Sequence, residues 1–392
     1  MVNWTDHGAV ATLYDFKWAE SGWGGGFENG AWAVQGIARD GKWFLYCPLQ
    51  GRGIGVLVST DGPFGPFTDP IGKPLIAGDH IDPTVFIDDD GQAYLGWGNP
   101  KCWYTKLNRD MISLDTSIGD KGLVAHDMTV EAFGKRSKED PRRPTSYEEG
   151  PWFYKRNGLY YLFFAGGPIS EHLGYSTGPS PIGPWKYGGV VLLTQGGSFT
   201  DHPGVVDYKG KTYLFFHNAA LPGGGGFHPS VCVEELKFNP DGSVIPVNMT
   251  KEGVAPAATL NPYKRVEAGT IAWESGVETA KTNGVGIYAT DISNEDYIKV
   301  CQVDFGGKGA AKFTASVAGA TDGGAIELRL EKADGPLLGT LKVNSTGGPD
   351  KWETQSCAVS GAQGIHDLIL KFTGGDEQTF NFDWWKFEPV SK

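Results

Sequence analysis

The chain has 392 residues, a formal net charge of −12 and 58 glycines, and 12% of its residues are aromatic. That length exceeds what one ordinary domain needs, so two domains are expected. The negative charge argues against nucleic acid as a partner, because phosphate binding requires a basic surface.

Targeting and cross-linking signals are weak throughout the sequence. No apolar run approaches the length of a membrane span, so no membrane partner is predicted. The opening MVNWTDHGAV has neither the basic nor the apolar region of a signal peptide; the localisation, and whether a longer parent protein is secreted, stay open. Five cysteines, an odd number without CxxC spacing, predict neither a zinc site nor a full disulfide framework.

Four hairpin-like segments recur along the first 250 residues, each with a polar-glycine turn and then an aromatic strand. Their turn glycines are at 41, 91, 158 and 210, which places successive units 50 to 67 residues apart. A period near 50 with several strands per unit is typical of β-propeller blades. A β-sandwich with coincidental turns is the alternative. The segments are RDGKWFLYCP, DDGQAYLGWGN, RNGLYYLFFAGG and YKGKTYLFFHN.

The composition changes near residue 250. The segment 251–262, KEGVAPAATLNP, is typical of a linker. Beyond it, strands such as IELRLEKA and HDLILKF alternate strictly between apolar and polar residues, as in a β-sandwich. We therefore predict an all-β chain with a propeller over 1–250 and a sandwich over 262–392.

Two acids precede a Gly-Pro in the segment SYEEGPWFYKRNGLYYLFF at 146–164. A sugar-cleaving site needs a carboxylic acid with a raised pKa beside an ionised carboxylate. An acid enclosed by aromatic side chains would be desolvated, which raises its pKa. The alternative is that Glu148 and Glu149 are ordinary surface residues.

Polar side chains stand at matching places in two further repeats. Asp82 precedes Pro83 and an apolar strand, one repeat before Glu149. His202 follows Asp201 before the strand of the last repeat. Alone, His202 would be read as a structural histidine. Because equivalent strand ends of neighbouring blades converge on the propeller axis, we expect the three side chains to share one site.

These segments resemble glycoside hydrolase family 43, whose members are five-bladed propellers acting as β-xylosidases, α-L-arabinofuranosidases and related enzymes of xylan and arabinan. IDPTVFIDDDG resembles the segment with the Asp that tunes the acid, here Asp82. YEEGPWFYKRNGLYYL resembles the segment whose Glu before Gly-Pro is the general acid, here Glu149. FTDHPGVVDYKGK implies that His202 is the axial histidine, and AWAVQG implies that Trp32 walls the sugar pocket. The resemblance implies an inverting glycosidase that needs no cofactor, with xylan, arabinoxylan or pentose oligosaccharides as partners.

The segment 262–392 resembles a family 6 carbohydrate-binding module, a β-sandwich of the jelly-roll type. Its order of segments runs from KRVEAGTIAWESGVET to FNFDWWKF. The resemblance implies that Trp352 and Asn381 shape a sugar cleft. It also implies a structural calcium at Glu267 and Asp383, although Gly269 replaces the usual second acid. The usual cleft tyrosine finds no match, since Asp291 falls near its place.

Two features depart from the family 43 pattern. Pro229 stands where an arginine usually contacts the sugar, and the strand with the general base finds no match. MVNWTDHGAV resembles the last strand of blade one, so we predict a five-bladed type lacking most of its first blade. Three interpretations stay open: an active glycosidase with a substitute base, a sugar-binding protein with little catalysis, and a truncated domain. The candidate substitutes are Asp6, Asp15, Glu20 and a group from a second chain.

An incomplete ring would leave apolar faces uncovered near residues 31–60 and 200–247. Those faces carry Trp43, Phe44, Phe215 and Phe216, whose exposure would be unfavourable. The ring could close on four blades, the sandwich could cover the gap, or two chains could associate. The sequence favours a homodimer.

Overall fold

The computed structural model describes residues 2–19, 30–319, 321–322, 324–374 and 380–391. The chain forms two units. Residues 10–253 form the propeller unit, and residues 1–9 with 254–392 form the sandwich unit. The helices described are two 3-10 turns and one short α-helix, Leu13–Asp15, Lys17–Ala19 and α1 (Val130–Phe133). None of the described helices is long and apolar enough to cross a bilayer.

The first strand, β1 (Trp4–Thr5), pairs within the sandwich unit. The described part of the propeller unit contains four antiparallel sheets of four consecutive strands, which we call blades A to D. Blade A has β2 (Gln35–Arg39), β3 (Lys42–Leu49), β4 (Gly53–Ser59) and β5 (Ile76–Ala77). Blade B has β6 (Thr84–Ile87), β7 (Ala93–Trp97), β8 (Trp103–Leu107) and β9 (Val124–Ala125). Blade C has β10 (Tyr147–Arg156), β11 (Leu159–Gly166), β12 (His172–Gly178) and β13 (Lys186–Leu192). Blade D has β14 (Gly204–Tyr208), β15 (Lys211–Asn218), β16 (Ser230–Phe238) and β17 (Val244–Ile245).

The first strands of successive blades lie against one another. Strand β6 contacts β2 and β10, and β10 contacts β14. Apolar clusters fill the spaces between blades; Tyr46 of blade A and Trp97 of blade B, for example, are fully buried in the same cluster. Innermost strands that converge and blades that pack face to face are the arrangement of a propeller, so the predicted fold class is confirmed.

Three of the four predicted turns are two-residue hairpins. Arg39 pairs with Lys42, Arg156 with Leu159, and Tyr208 with Lys211. Both central residues of each turn have positive φ, as in Asn157 (51°) and Gly158 (78°). That conformation is a type I′ turn, which matches the twist of the flanking strands and favours Asn-Gly and Asp-Gly.

The sandwich unit packs a five-stranded and a six-stranded sheet around one apolar core. The smaller sheet has the order β20-β23-β28-β25-β26, and the larger has β21-β22-β29-β24-β27 with β18 paired to β29. The strands are β18 (Val266–Glu267), β19 (Thr270–Ile271), β20 (Trp273–Ser275), β21 (Glu278–Thr282), β22 (Gly286–Thr290), β23 (Tyr297–Asp304), β24 (Ala310–Ala318), β25 (Gly324–Leu330), β26 (Leu337–Val343), β27 (Glu353–Ala358), β28 (Ile365–Thr373) and β29 (Asn381–Pro389).

The start of the chain is not a propeller strand, so that prediction is wrong. Strand β1 pairs with β19 through Trp4↔Ile271 and Thr5↔Thr270. Asn3 supports this pairing, because its side-chain Nδ2 donates to the carbonyl of Cys301 at 2.8 Å. A two-residue strand is too short to show any alternation, so the sequence pattern could not assign it to either sheet.

The boundary between the units also differs from the prediction. The sandwich unit begins again at Val254, inside the predicted linker 251–262. Leu260 packs against the sandwich core, and its backbone bonds to Gln302 and Asp304 at 2.8 and 2.9 Å. The second half of that segment is therefore part of the sandwich.

The apolar residues that suggested a homodimer are covered within one chain. Phe44 and Phe216 are 4% and 2% exposed, and Trp43 and Phe215 are half-buried. The uncovered face expected from the sequence is therefore not present at these four residues, and the homodimer stays a prediction without that support.

Candidate active site and sugar-binding cleft

A cavity of about 1030 Å³ opens at the first strands of the four blades. Trp32, Asp82, Glu149 and His202 all line it, so the structure brings together every site residue predicted in the propeller unit. Trp152 of β10 and Pro229 before β16 complete parts of the wall.

Asp82 precedes β6 in an unusual backbone conformation. Its φ is 59°, a left-handed value that costs energy for a residue with a side chain and is often found at functional sites. The side chain is 4% exposed, and its Oδ2 accepts a hydrogen bond from the backbone N–H of Gly150 at 3.0 Å. Burial raises the pKa of Asp82 to about 7, against the opposing effect of that N–H.

Glu149 stands on an irregular part of β10. The register with β11 shifts on both sides of Glu149, and bulges of this kind redirect side chains beside active sites. Burial is the main cause that raises the pKa of Glu149 to about 7, and the charge of Asp82 adds to it. Asn99 opposes the shift by donating a hydrogen bond to Oε2 of Glu149. Asp82 and Glu149 therefore form an electrostatically coupled pair.

The neighbouring Glu148 has a structural role. Its oxygens form ion pairs with Arg136 at 2.6 Å and Arg143 at 2.7 Å, and its side chain is 4% exposed. Arg143 also donates to Oδ1 of Asn99 at 2.7 Å, which orients the amide that contacts Glu149. The sequence distinguished Glu149 from Glu148 by its place before Gly-Pro, but it did not identify Asn99 or Arg143.

His202 packs against the backbone of Gly150. A Cβ on residue 150 would lie 3.0 Å from Nδ1 of His202, and the φ of Gly150 is 59°. Glycine is needed here on both grounds. Burial lowers the pKa of His202 to about 4, so its ring is neutral at neutral pH.

Two further buried acids, Asp201 and Glu171, were not among the predicted site residues. Asp201 lines the cavity, and its Oδ1 accepts the backbone N–H of His217 at 2.8 Å. Glu171, between β11 and β12, is 3% exposed and accepts the backbone N–H of Asp201 at 2.7 Å. Burial raises the pKa of Asp201 to about 7; burial and then the charge of Glu149 raise that of Glu171 to about 9. Glu171 follows a Pro-Ile-Ser loop and carries no motif that would single it out.

The candidate substitute bases do not line this cavity among the described residues. Asp6 belongs to the sandwich unit, where it accepts hydrogen bonds at 2.6 Å from Gly8 N–H and from the Thr279 hydroxyl. Asp15 accepts the N–H of Thr12 at 2.7 Å and caps a 3-10 turn. Glu20 lies outside the described residues.

The sandwich unit carries an aromatic pair at the predicted sugar cleft. The ring centroids of Trp352 and Tyr288 lie 5.2 Å apart with an interplanar angle of 69°, and both residues are half-buried. The sequence comparison found no match for the usual cleft tyrosine, and the structure places Tyr288 against Trp352. Tyr288 was missed because it lies in β22, three residues before the Asp291 that was compared instead.

Asn381 is buried at the start of β29. Its Oδ1 accepts the hydroxyl of Thr290 at 2.9 Å, and its Nδ2 donates to the carbonyl of Pro349 at 2.9 Å. The residue is 4% exposed. These bonds fix the loop that leads to Trp352, while direct contact of Asn381 with sugar stays a prediction.

The predicted calcium ligands, Glu267 and Asp383, both contact the guanidinium of Arg265. Arg265 pairs with both oxygens of Glu267 at 2.8 Å, and with Oδ1 of Asp383 at 3.3 Å. Within the described ranges, no group of three or more His, Cys, Asp or Glu side chains is gathered to hold a metal. One guanidinium offsets only one of the two carboxylate charges, so calcium binding at Glu267 and Asp383 stays a prediction.

A propeller cavity lined by buried carboxyl groups with raised pKa values, in a chain that also folds a sandwich with an aromatic pair, is the combination expected of a glycoside hydrolase with an attached carbohydrate-binding module. The model for glycosyl hydrolases family 43 matches residues 1–244, and the model for carbohydrate binding module (family 6) matches residues 267–389. The chain belongs to glycosyl hydrolases family 43, and it is a glycosidase.

Individual relatives match this chain along almost its whole length. An arabinoxylan arabinofuranohydrolase from Bacillus subtilis is 38% identical over 99% of this chain and 81% of its own length. An enzyme of the same name from Paenibacillus polymyxa is 34% identical over 99% of this chain, which spans 65% of that relative. The crystal structure of a Bacillus subtilis arabinoxylan arabinofuranohydrolase in complex with cellotetraose is 35% identical, with a TM-score of 0.83 over 99% of this chain and 85% of that one.

Replacing Trp352 by alanine is expected to weaken binding to soluble xylan by about tenfold, because half of the aromatic pair is lost. Affinity electrophoresis of the full chain measures this, with Glu149→Gln added so that the polymer is not cut. Trp273→Ala is the control, since Trp273 is 50% exposed elsewhere on the same unit. Equal retardation of the Trp352 variant and its parent would show that the pair does not hold xylan.

Proposed function

We propose that the chain removes arabinofuranosyl groups from arabinoxylan by an inverting mechanism. The observation that carries this proposal is the hydrogen bond from the Gly150 N–H to Asp82. Gly150 directly follows Glu149, so this bond holds a second carboxyl close to Glu149, where its charge raises the pKa of Glu149. The two relatives named as arabinoxylan arabinofuranohydrolases support the substrate.

The geometry supports Glu149 as the proton donor of this proposal. A carboxyl with its pKa raised to about 7 keeps its proton in a large part of the molecules near neutrality. It can then protonate the glycosidic oxygen as the bond to the anomeric carbon breaks and a water molecule adds to that carbon from the opposite face, its proton passing to a general base that is not yet assigned. Asp82 accepts the Gly150 N–H, which favours its ionised form, and when it is ionised its charge raises the pKa of Glu149.

Sugar binding without catalysis is the second candidate, since the Pro229 substitution and the unassigned base would both weaken turnover. It is not favoured. Burying two interacting carboxyl groups costs free energy, and sugar binding alone does not require it. Carboxyl pKa values raised toward neutrality are instead typical of acid catalysts.

The experiment is a comparison of released sugars. Purified chain is incubated with arabinoxylan and with linear xylan, and products are separated by chromatography and followed by proton NMR. Arabinose released first as the inverted anomer supports the proposal. Xylose from linear xylan would identify a β-xylosidase instead, and no product from either polymer or from nitrophenyl pentosides would favour the binding function.

Replacing Asp82 by asparagine is expected to move the alkaline limb of the pH–rate profile to lower pH. Glu149 must be protonated to act, so activity falls as pH rises through its pKa. The charge of Asp82 raises that pKa, and removing the charge lowers it. The limb, expected near pH 7 in the unmodified chain, is measured with kcat/KM across pH 5–9.

Asp79→Asn is the matched control, because Asp79 is exposed in the loop before β6. It should leave the limb in place. An unshifted limb with normal turnover in the Asp82 variant would remove Asp82 from the site.

A further inference from the structure

Two phenylalanines form an exposed pair beside the cavity. The ring centroids of Phe199 and Phe227 lie 5.2 Å apart, and the rings are nearly perpendicular at 83°. Phe199 is 44% exposed and Phe227 is 66% exposed, yet Phe227 lines the same cavity as Glu149. Neither belongs to an apolar core of the described residues.

The backbone holds this pair in place. The N–H of Phe199 donates to the carbonyl of Gly226 at 2.8 Å. Gly226 has a φ of 40°, and a Cβ there would lie 3.0 Å from the ring of Phe199. Glycine therefore lets the two segments approach closely enough for the rings to meet.

Blade C anchors the same segment from the other side. The N–H of Glu171 donates to the carbonyl of Phe199 at 3.1 Å, while the side chain of Glu171 accepts from Asp201 at 2.7 Å. Hydrogen bonds therefore hold residues 199 to 201 both to Gly226 and to Glu171. The exposed aromatic pair stands on a backbone that is fixed by these bonds.

The surroundings restrict the chemistry of a ligand. Asp82, Glu149 and Asp201 make the cavity wall acidic, which disfavours anions. Apolar side chains at the cavity, Ile169 and Val231, are 52% and 73% exposed and add no charge. A neutral sugar ring fits this setting, because its C–H face packs on an aromatic face while its hydroxyls stay in water.

The cavity is also larger than one sugar requires. Its volume of about 1030 Å³ is at the upper end of pockets that enclose drug-sized ligands. We infer that Phe227, supported edge-on by Phe199, is the platform for a backbone pyranose of the polymer next to the sugar held at Glu149. This inference rests on the proposed function for the identity of the polymer, a β-1,4-linked pyranose chain.

The test compares two substrates in Phe227→Ala. The ratio of kcat/KM on arabinoxylan to kcat/KM on nitrophenyl α-L-arabinofuranoside should fall about 3- to 10-fold, because only the polymer reaches the platform. Phe227→Tyr should restore the ratio. Phe64→Ala, which removes a phenylalanine 53% exposed in a different loop, should leave it unchanged. An unchanged ratio in Phe227→Ala, or equal losses on both substrates, would overturn the inference.

A second measurement keeps the inference separate from the proposed function. Binding of cellotetraose and xylotetraose is measured by calorimetry in full-length Trp352→Ala, so that the sandwich cleft contributes little to the measured binding. Phe227→Ala in that background should weaken binding of these oligosaccharides about 3- to 10-fold, whether or not the chain hydrolyses arabinoxylan or nitrophenyl α-L-arabinofuranoside. Undiminished binding would overturn the platform. Weakened binding, in a chain that releases arabinose neither from arabinoxylan nor from nitrophenyl α-L-arabinofuranoside, would support the platform and refute the proposed function.

Discussion

Replacing Glu149 by glutamine is expected to lower kcat on arabinoxylan by about 10² or more, because the leaving oxygen then departs without a proton. Nitrophenyl glycosides should lose less, since nitrophenolate leaves readily without protonation. The measurement is the pair of kcat values for the two substrate types in the unmodified chain and the variant.

The control for this experiment is Glu139→Gln, which removes an exposed carboxyl from the segment between blades B and C. It should keep full activity on both substrates. The alkaline limb near pH 7 should also disappear from the Glu149 variant, because glutamine does not titrate. Equal losses on both substrate types with the limb retained would contradict the role of Glu149 as proton donor.

Replacing Glu171 by glutamine is expected to stabilise the protein at alkaline pH, by up to a few kcal/mol in the free energy of unfolding. The folded-state pKa of Glu171 is raised from 4.5 to about 9, mainly by burial. Below pH 4.5 both states are protonated and the residue adds no pH dependence. As pH rises from 4.5 toward 9, the unfolded chain releases the proton that the folded chain keeps, so stability falls by at most about 1.4 kcal/mol per pH unit.

Glutamine matches the protonated acid in shape and charge and keeps an acceptor for the N–H of Asp201. Urea unfolding of the full chain at pH 5 to 8, followed by tryptophan fluorescence, should therefore show the variant gaining on its parent as pH rises. Glu171→Ala should be less stable at every pH, because the Asp201 N–H loses its acceptor. A glutamine variant that is less stable than its parent at pH 8 would mean that Glu171 is ionised in the folded chain.

The sequence was sufficient for features whose signal is local. Asn157-Gly158 predicts its turn because few other residues accept positive φ at both positions. Glu149 could be separated from Glu148 by its place before Gly-Pro. The two glutamates nevertheless differ physically through Arg136 and Arg143, which become their neighbours only in the fold.

Features that depend on distant partners could not be derived. Glu171 is significant because blade C packs it against residue 201, 30 positions further along the chain. Arg265 was not considered when calcium was predicted, because in the sequence a positive side chain two residues before Glu267 is indistinguishable from an ordinary exposed charge. Its contact with Asp383 spans 118 positions.

The assignment of β1 to the sandwich has a consequence for biosynthesis. Thr5 bonds to Thr270, 265 positions later, and Asn3 bonds to Cys301, 298 positions later. Residues 10–253 can complete their blades on the ribosome while the first nine residues still have no partner. Closing such a large loop is slow compared with forming the local hairpins of the blades. The sandwich therefore becomes complete after the propeller, and a ribosome-stalled chain ending near residue 250 would carry folded blades with an unpaired leading strand.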